Sequence, residues 1–221
     1  MAEDNNYEII GKFPTVIKAK GKHNEFKVFL FEFPNGSAPV FLANDDTETV
    51  PRLYSVLQMG EILPGDSPLV RVHSACHLGD TLRHVVCDCG DQYEEAIDRI
   101  AEEGTGVVVY CQGHEGRGIG PKRHFQAYEL QYESGANTFE SYEQLGFPVD
   151  SRDYSDAITI LRDHYGLRAL RLLTNNPDKI KPLTEGGIEV VRVPLWVPRT
   201  KINEAQFEAK LKRGHLPPEI S

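Results

Sequence analysis

The sequence predicts an α/β fold, with a layered α/β/α mixed sheet and a strand-rich N-terminal region. From about residue 90, apolar residues at helical spacing alternate with short apolar runs, which is typical of helices alternating with buried strands. Before residue 70, stretches dense in aromatic and β-branched residues favour strands. We expect a strand-rich region over 1–70 that packs on a core over 71–200, followed by a C-terminal helix and tail over 201–221.

The N-terminal strands are predicted from two apolar stretches. The first, KVFLFEF, runs from Lys27 to Phe33. The tetrapeptide Pro34-Asn35-Gly36-Ser37 is predicted to form a turn, because these residue types favour turns. The second stretch, PVFLA, from Pro39 to Ala43, is then predicted to be the returning strand.

The core is predicted as alternating helices and strands. Residues Asp91 to Glu103 are amphipathic at helical spacing, and Gly104 favours the end of that helix. The run GVVVYC, from Gly106 to Cys111, predicts a strand buried on both faces. The later elements are predicted as helices near 122–133 and 154–165, a short helix opened by Asn175-Asn176-Pro177, a charged helix near 203–213, and strands at 170–173 and 188–193.

Composition indicates an ordinary globular protein. Hydrophobic residues make up 40% of the 221 residues. No apolar run approaches the length of a membrane span, and the acidic start MAEDNNYE differs from a signal peptide. We therefore expect a cytoplasmic protein with no membrane partner. In a reducing cytoplasm, the four cysteines are expected to be metal ligands, catalytic groups or core thiols rather than disulfides.

The formal net charge of −9 argues against a general nucleic-acid-binding protein. Such proteins need a basic face that displaces counterions from phosphates. A phosphorylated small molecule remains compatible with this charge, because it needs only a few local cations and backbone N–H groups.

A cysteine cluster lies in the polar stretch RVHSACHLGDTLRHVVCDCG. Cys87 and Cys89 form a C-x-C pair, and Cys76 stands eleven positions before Cys87. Thiolates suit zinc, and three protein ligands with one open position are typical of catalytic zinc. A closed structural site would need a fourth ligand, for which the candidates are His73, His77, His84 and Cys111. The alternative is a set of buried free cysteines, which are common in protein cores.

A glycine-rich loop, GHEGRGIG from Gly113 to Gly120, follows the predicted strand at 106–111 and precedes a helix. In α/β folds this position presents backbone N–H groups to anions. The loop is neither a Walker loop nor a good dinucleotide fingerprint. Arg117 would supply a cation, whereas Glu115 is expected to contact a base edge or to organise the site. The alternative is a surface loop without a ligand.

Six segments together resemble one family. RVHSACHLGD, CDCG, GHEGRGIG, QAYEL, LGFPVDSRDY and LLTNNPDK resemble the GTP cyclohydrolase II family, in the same order and at similar separations over roughly residues 70–200. The resemblance implies hydrolysis of GTP with opening of the imidazole ring and release of formate and pyrophosphate. The implied product is 2,5-diamino-6-ribosylamino-4(3H)-pyrimidinone 5′-phosphate, the first intermediate of riboflavin biosynthesis. It also implies one Zn²⁺ per subunit, Mg²⁺ with the triphosphate, and a homodimer.

The same resemblance assigns roles to individual residues. Zinc would be held by Cys76, Cys87 and Cys89, and would activate water near neutral pH for attack on C8 of the base. Tyr128 would serve ring opening, Asp150 would accept a proton, and Arg152 would be a nucleophile on the α-phosphorus. Because arginine keeps its proton, a bidentate phosphate clamp is the simpler role for Arg152. The implied GTP contacts are Arg71, Val72, His73, Ser74, Ala75, Gln92, Glu115, Gly116, Arg117, Thr138, Thr174 and Lys179.

Some positions depart from the family pattern. Ala75 stands where many members carry Glu, and Gln126 stands where Arg often precedes the Ala-Tyr pair. Cys111-Gln112 replaces Leu-Arg or His-Arg. Two alternatives therefore stay open: a paralogue of a secondary pathway with another nucleotide or a formyl-retaining product, and a zinc- and nucleotide-binding regulator without turnover. The retention of Asp150, Arg152 and Tyr128 favours an enzyme.

Overall fold

A computed structural model describes residues 6–38 and 50–217 of the chain. One seven-stranded sheet forms its centre, with the strand order β1-β2-β3-β5-β4-β6-β7. The strands are β1 Glu8–Ala19, β2 Lys22–Ala38, β3 Val50–Met59, β4 Leu69–Ser74, β5 Gly106–Cys111, β6 Ala169–Leu173 and β7 Glu189–Val193.

The sheet is mixed. Strands β1, β2, β3 and β5 pair antiparallel in that order, whereas β5, β4, β6 and β7 pair parallel. The N-terminal strands therefore continue the sheet of the core through the pairing of β3 with β5. In the parallel part, Ser74 is the register partner of Cys111, so β4 and β5 end at the same level.

The predicted helices are confirmed, with small changes in their bounds. Gly104 and Gly135 end α1 and α2 in the left-handed conformation, with φ of 78° and 74°. A short helix, α3, was not predicted. The helices are α1 Cys89–Glu103, α2 Pro121–Ser134, α3 Glu140–Gln144, α4 Ser155–Thr159 with a π-helical turn Ile160–His164, α5 Pro177–Glu185 and α6 Glu204–Lys212.

Both faces of the sheet are covered, which confirms the α/β/α layering. Alternate residues of β5 show this directly, because Val107 and Val109 pack on one face and Val108 on the other. The first face carries α4, its π-helical turn and α5, and the second carries α1. In the part of the chain that the structure describes, no helix is long and apolar enough to cross a membrane.

The predicted turn at 34–37 is wrong, because β2 continues through these residues to Ala38. The last β1 partner in this direction is Glu32, so Pro34 lies beyond the region where its missing N–H would break a bond to β1. A register irregularity between Phe33 and Ala38 accommodates the segment against β3. The predicted returning strand at 39–43 lies outside the described residues.

The topology creates a crevice at the carboxyl ends of β4 and β6. The chain leaves β4 towards α1 on one face of the sheet, and leaves the neighbouring β6 towards α5 on the opposite face. Connections that diverge from adjacent parallel strands leave space between them, and this is where open α/β sheets bind ligands.

Candidate active site and metal centre

An open cleft of about 860 Å³ occupies this crevice. It brings together most of the residues that the sequence singled out, although they come from distant parts of the chain. The predicted residues that line it are Arg71, His73, Ser74, Ala75, Cys76, Cys87, Cys89, Gln92, Gly116, Arg117, Tyr128, Thr138, Arg152, Thr174 and Lys179.

Three of the predicted site residues lie behind the cleft wall. The side chain of Val72 is buried in the apolar core, while its carbonyl oxygen accepts a hydrogen bond from Lys179 Nζ at 2.9 Å. Asp150 stands beside Arg152 and pairs with it. The carboxylate of Glu115 is buried, and it accepts hydrogen bonds from the His77 backbone N–H at 2.6 Å and from His124 Nδ1 at 2.5 Å.

The three cysteines converge because a glycine lets two chain segments approach closely. Cys76 follows β4, and Cys89 is the first residue of α1. A Cβ on Gly79 would lie 2.9 Å from both Cys87 Sγ and Cys89 Cβ, so any side chain there would force the segments apart. The sulfurs of Cys76 and Cys87 are 4.0 Å apart, and all three sulfurs lie within 4.8 Å of one another.

This donor set fits a zinc ion. A tetrahedral site with Zn–S bonds near 2.3 Å places its sulfurs roughly 3.8 Å apart, close to the Cys76–Cys87 separation of 4.0 Å. Crowded, largely buried thiols cannot all ionise without a cation. Hydrogen bonding among these thiols accordingly raises the pKa of Cys76 and lowers the pKa of Cys87.

The suggested fourth ligands do not join this cluster among the described residues. His73 is held by Asp80, whose carboxylate lies 3.2 Å from its Nε2, and Cys111 donates its thiol to the Val109 carbonyl. A second group of possible ligands instead joins Cys76 with Glu115 and His124. Cys76, Cys87 and Cys89 all line the cleft, so the cluster is accessible from it.

Asp80 organises the approach to the cysteines, although it was not among the predicted site residues. Its carboxylate accepts hydrogen bonds from the Cys76 backbone N–H at 3.0 Å and the Tyr110 hydroxyl at 2.9 Å, and contacts His73. Burial opposes the charge on Asp80, but these hydrogen bonds outweigh it and hold its pKa below the usual value. Asp80 thereby fixes the chain just before the first thiol.

Two buried basic side chains, Arg71 and Lys179, line the cleft. Arg71 donates to the Leu173 carbonyl at 2.9 Å and to Gln92 Oε1 at 2.8 Å. Burial lowers the pKa of Arg71 to about 10, so it stays charged at neutral pH. Lys179 donates to the Val72 carbonyl and contacts Ser74 Oγ at 3.4 Å. Burial, with the positive charges of Arg71 and Arg152, lowers the pKa of Lys179 well below its usual value.

Arg152 is oriented before any ligand binds. Its Nε donates to Asp150 Oδ1 at 2.8 Å, a second nitrogen pairs with Asp150 Oδ2, and a third donates to Ser74 Oγ at 3.2 Å. Burial disfavours the charge of Arg152, but Tyr154 and Asp150 more than offset this and raise its pKa above the usual value. The guanidinium is therefore a permanent cation facing the cleft.

The glycine-rich loop forms two short 3₁₀ turns over Gln112–Gly118, after β5, with a kink at residues 115–117 between them. Gly116 and Arg117 both take the left-handed conformation, with φ of 57° and 56°. This places the Arg117 guanidinium over the Phe139 ring, 4.0 Å from its centroid. Gly118 passes so close to Ser151 that an added Cβ would lie 2.9 Å from its carbonyl carbon.

Several residues that line the cleft were not predicted from the sequence. Asp88 and His114 lie within segments that resemble the family, and His124 lies between two of them. Their position in the sequence could therefore have marked them as candidate site residues. Gln206, Lys210 and His215 come from α6 and the turn after it. No pattern in the sequence marks these three C-terminal residues as part of a site, because only the tertiary fold brings them to the cleft.

Comparison with known proteins gives a consistent picture. The family model described as GTP cyclohydrolase II matches residues 22–194. GTP cyclohydrolase-2 of Shewanella oneidensis is 45% identical over 174 residues, which is 78% of this chain and 84% of the relative. Riboflavin biosynthesis protein RibBA of Aquifex aeolicus is 49% identical over 162 residues, or 72% of this chain.

Some relatives are considerably longer than this chain. The match spans 39% of the Aquifex aeolicus protein. It spans 28% of a rice protein named probable bifunctional riboflavin biosynthesis protein RIBA 2, chloroplastic, which is 48% identical over 159 residues. The similarity thus covers most of this chain in each comparison, whether the relative is short or long.

Proposed function

The chain belongs to the GTP cyclohydrolase II family, and from this premise we propose that it hydrolyses GTP for riboflavin biosynthesis. The proposed reaction opens the imidazole ring and releases C8 as formate and the terminal phosphates as pyrophosphate. The remaining diaminopyrimidinone nucleotide keeps one phosphate. The observation that carries the proposal is a trio of thiols that lines the same cleft as several basic side chains.

We propose that Cys76, Cys87 and Cys89 hold one zinc ion per subunit, since their sulfurs have the separations that a tetrahedral site requires. When bound, zinc would supply Lewis acidity and activate water for attack at C8 of the base. The protein's own part is to keep the thiols together through Gly79 and to fix the preceding chain through Asp80.

The basic side chains that line the cleft, which we call the cationic wall, would bind the triphosphate together with Mg²⁺. Arg71, Arg117 and Lys179 line the cleft around Arg152. We assign Arg152 the role of a phosphate clamp, because its raised pKa and its bonds to Asp150 keep it protonated and fixed. A nucleophilic role would require Asp150 to remove a proton from a guanidinium that this same ion pair stabilises in its charged form.

Tyr128 is the group best placed to handle a proton during ring opening. Its side chain lines the cleft together with the three cysteines. Burial raises the pKa of Tyr128, so the phenol keeps its proton at neutral pH. It can therefore donate a hydrogen bond or a proton to the opening ring.

Glu115 is better suited to organising the site than to contacting the guanine directly. Each of its carboxylate oxygens already accepts a hydrogen bond, one from His77 N–H and one from His124. These bonds join the glycine-rich loop to the cysteine segment and to α2. We propose that this linkage sets the distance between the cationic wall and the thiols.

The departures from the family pattern leave the cleft largely intact. Gln112 and Gln126 do not line the cleft among the described residues, and Gln112 donates a hydrogen bond to Ser55 Oγ instead. These two positions, where the family often has arginine, therefore lie outside the cationic wall. Ala75 does line the cleft and is the departure that bears on recognition of the base.

The test is to incubate the zinc-loaded protein with GTP and Mg²⁺ and to quantify formate, pyrophosphate and the nucleotide product by mass spectrometry. Equal amounts of formate and pyrophosphate with the diaminopyrimidinone product are expected. Pyrophosphate without formate would instead support a formyl-retaining paralogue. Zinc and GTP binding without either release would support a regulator. Sedimentation and cell fractionation would test the further proposals of a homodimer and a cytoplasmic location.

A further inference from the structure

The C-terminal helix contributes to the cleft even though the family match ends before it. The family model stops at residue 194, and α6 begins at Glu204. Nevertheless Gln206 and Lys210 of α6, with His215 just after it, line the cleft. This part of the wall is therefore built by a segment to which the comparison with the family assigns nothing.

Polar contacts at several points hold this segment in place. Lys210 forms an ion pair with the buried Asp88, which lies between two of the cysteines. The backbone N–H of Leu216 donates to the Asn175 carbonyl at 2.8 Å. One contact from α6 and one from the residues after it thus hold this segment against the cysteine segment and against the turn after β6.

Gln206 makes the contact with most consequence for chemistry. The residue is 9% exposed, and its Nε2 donates a hydrogen bond to the Tyr128 hydroxyl oxygen at 3.0 Å. A phenol has one O–H donor and an oxygen that can also accept. When the oxygen accepts from Gln206, the O–H is left to point away from α6. Tyr128 and the three cysteines line the same cleft, into which an O–H turned away from α6 can point.

We propose that Gln206 is a positioning residue that fixes the direction of the Tyr128 O–H towards the cysteine cluster and the bound nucleotide. This inference rests on the proposed function, in which Tyr128 assists ring opening. It predicts that loss of the Gln206 amide donor slows formate release while leaving pyrophosphate release unchanged, because Arg152 and Arg117 hold the phosphates without contacting Gln206.

The direct test compares Gln206→Met and Gln206→Glu with the unchanged protein. Methionine keeps the length of the side chain without a donor, and glutamate offers acceptors that would draw the Tyr128 O–H towards α6. We expect formate release to fall roughly 10- to 100-fold in both variants, as for partial loss of a general acid, with pyrophosphate release within about twofold of normal. Adding Gln206→Met to Tyr128→Phe should cause no further loss, since both changes remove the same interaction.

The control is Gln131→Met on α2. Gln131 is half-buried and donates to the Ala127 carbonyl and Ser141 Oγ, so it has a similar environment without the contact to Tyr128. Equal loss of formate and pyrophosphate release in Gln206→Met would overturn the proposal, and so would additive losses in the double variant. Normal formate release in Gln206→Met would do so as well.

A readout independent of turnover separates this inference from the proposed function. The ¹³Cζ resonance of Tyr128, assigned by its absence in Tyr128→Phe, reports the hydrogen bonding of the phenol. Gln206→Met should shift it and Gln131→Met should not. If the unchanged protein released no formate, the proposed function would fail, but the resonance would still decide whether Gln206 orients the hydroxyl. An unshifted resonance would refute the positioning role.

Discussion

The Arg152 guanidinium donates hydrogen bonds on two sides, to the Asp150 carboxylate and to Ser74 Oγ. A guanidinium presents its donors in a fixed planar fork, whereas a lysine ammonium is a single point charge. Replacing Arg152 by lysine therefore distinguishes the two roles that the sequence left open, because a clamp depends on the fork and a nucleophile does not.

We expect Arg152→Lys to slow pyrophosphate release by roughly 10- to 150-fold, which corresponds to one lost charged hydrogen bond of about 1.5–3 kcal/mol. Pyrophosphate is measured in single turnovers, and the quenched protein is weighed by intact mass spectrometry. Arg123→Lys is the matched control, since Arg123 stacks on Phe147 outside the cleft. A nucleotide attached to either the unchanged protein or Arg152→Lys would contradict the clamp and favour the nucleophile.

His114 couples the cleft to acid stability. Its ring is 5% exposed and bonds to Ser74 Oγ and the Asp153 carbonyl. Burial, helped by the charge of Arg152, lowers its pKa from 6.5 to about 3. Above pH 6.5 the imidazole is neutral in both the folded and unfolded states. Between pH 6.5 and 3 only the unfolded chain takes up the proton, so the free energy of unfolding decreases as the pH is lowered.

His114→Gln should therefore flatten the acid side of the stability profile. The contribution removed is roughly 1.4 kcal/mol per pH unit across that window. Urea unfolding at pH 7, 5 and 4 measures it, with the exposed His23 changed to Gln as the control. Parallel profiles for His114→Gln and the unchanged protein would show that His114 titrates normally in the folded state.

Among single residues, the sequence identified those whose side-chain type and motif together indicate a function. The cysteines, Arg117 and Arg152 stand in motifs with glycine or acidic neighbours, and the fold brings them to one cleft. Asp80 and Gln206 could not be recognised in this way. An aspartate in a turn and a glutamine on a charged helix acquire their roles only from Cys76 and Tyr128, their partners in space.

At the level of elements, the glycine-rich loop packs against the segment that carries Arg152, the proposed phosphate clamp. Gly118 has a φ of +89°, and the backbone of Ser151 and Arg152 lies against it. The Ser151 N–H also donates to the Arg117 carbonyl at 2.9 Å. The loop after β5 and the segment that carries Arg152 thus touch backbone to backbone, so neither can shift without moving the other.

Gly118→Ala should reduce pyrophosphate release by at least about tenfold, because a misplaced clamp loses alignment with the phosphate. The matched control is Gly135→Ala, which also has a positive φ, of +74°, but no atom within 4 Å of the added carbon. The control should lose about 1–2 kcal/mol of stability from backbone strain and keep its rate. Equal rates in the two variants would mean that the contact with Ser151 does not position Arg152.

Several element boundaries lie where a glycine or proline predicted them. Gly104 and Gly135 end their helices in the left-handed conformation that favours glycine, and Asn176 caps α5 as its Asn-Pro context predicts. The same rule failed at Pro34, because the absence of a β1 partner at that level lets a proline continue the strand. Strand pairing is a long-range property, and local composition does not contain it.

Over the whole molecule, the α/β/α architecture was predictable and the route of the sheet was not. Helical and strand periodicity indicate which segments alternate, but not that β5 lies between β3 and β4. That order decides where connections diverge, and hence where the cleft forms. The cleft's predicted residues were found through motif order, and its C-terminal wall remained hidden because α6 reaches it only in the folded state.

Removal of zinc should weaken the entire fold, since the proposed ion joins the segment after β4 to the start of α1. We expect a chelator to lower Tm by roughly 4–8 °C, which corresponds to about 2 kcal/mol at this chain length. Cys87→Ser should contain no zinc, release no formate and show no further change with the chelator. Cys111→Ser, altered at a buried thiol outside the cleft, should lose some stability, but it should bind zinc, release formate and respond to the chelator as the unchanged protein does. Full formate release by Cys87→Ser would refute the zinc assignment.

The cationic wall of the cleft belongs to a chain whose net charge is −9. At physiological ionic strength the Debye length is about 8 Å, so a nucleotide anion senses the attraction of Arg71 and Arg152 only near the cleft mouth. Further out, the acidic surface repels it. Capture is therefore a short-range event, and moderate salt relieves the outer repulsion before it weakens the sheltered inner contacts. Association with free nucleotide should consequently tolerate added salt, unlike the steep loss typical of proteins that rely on long-range steering.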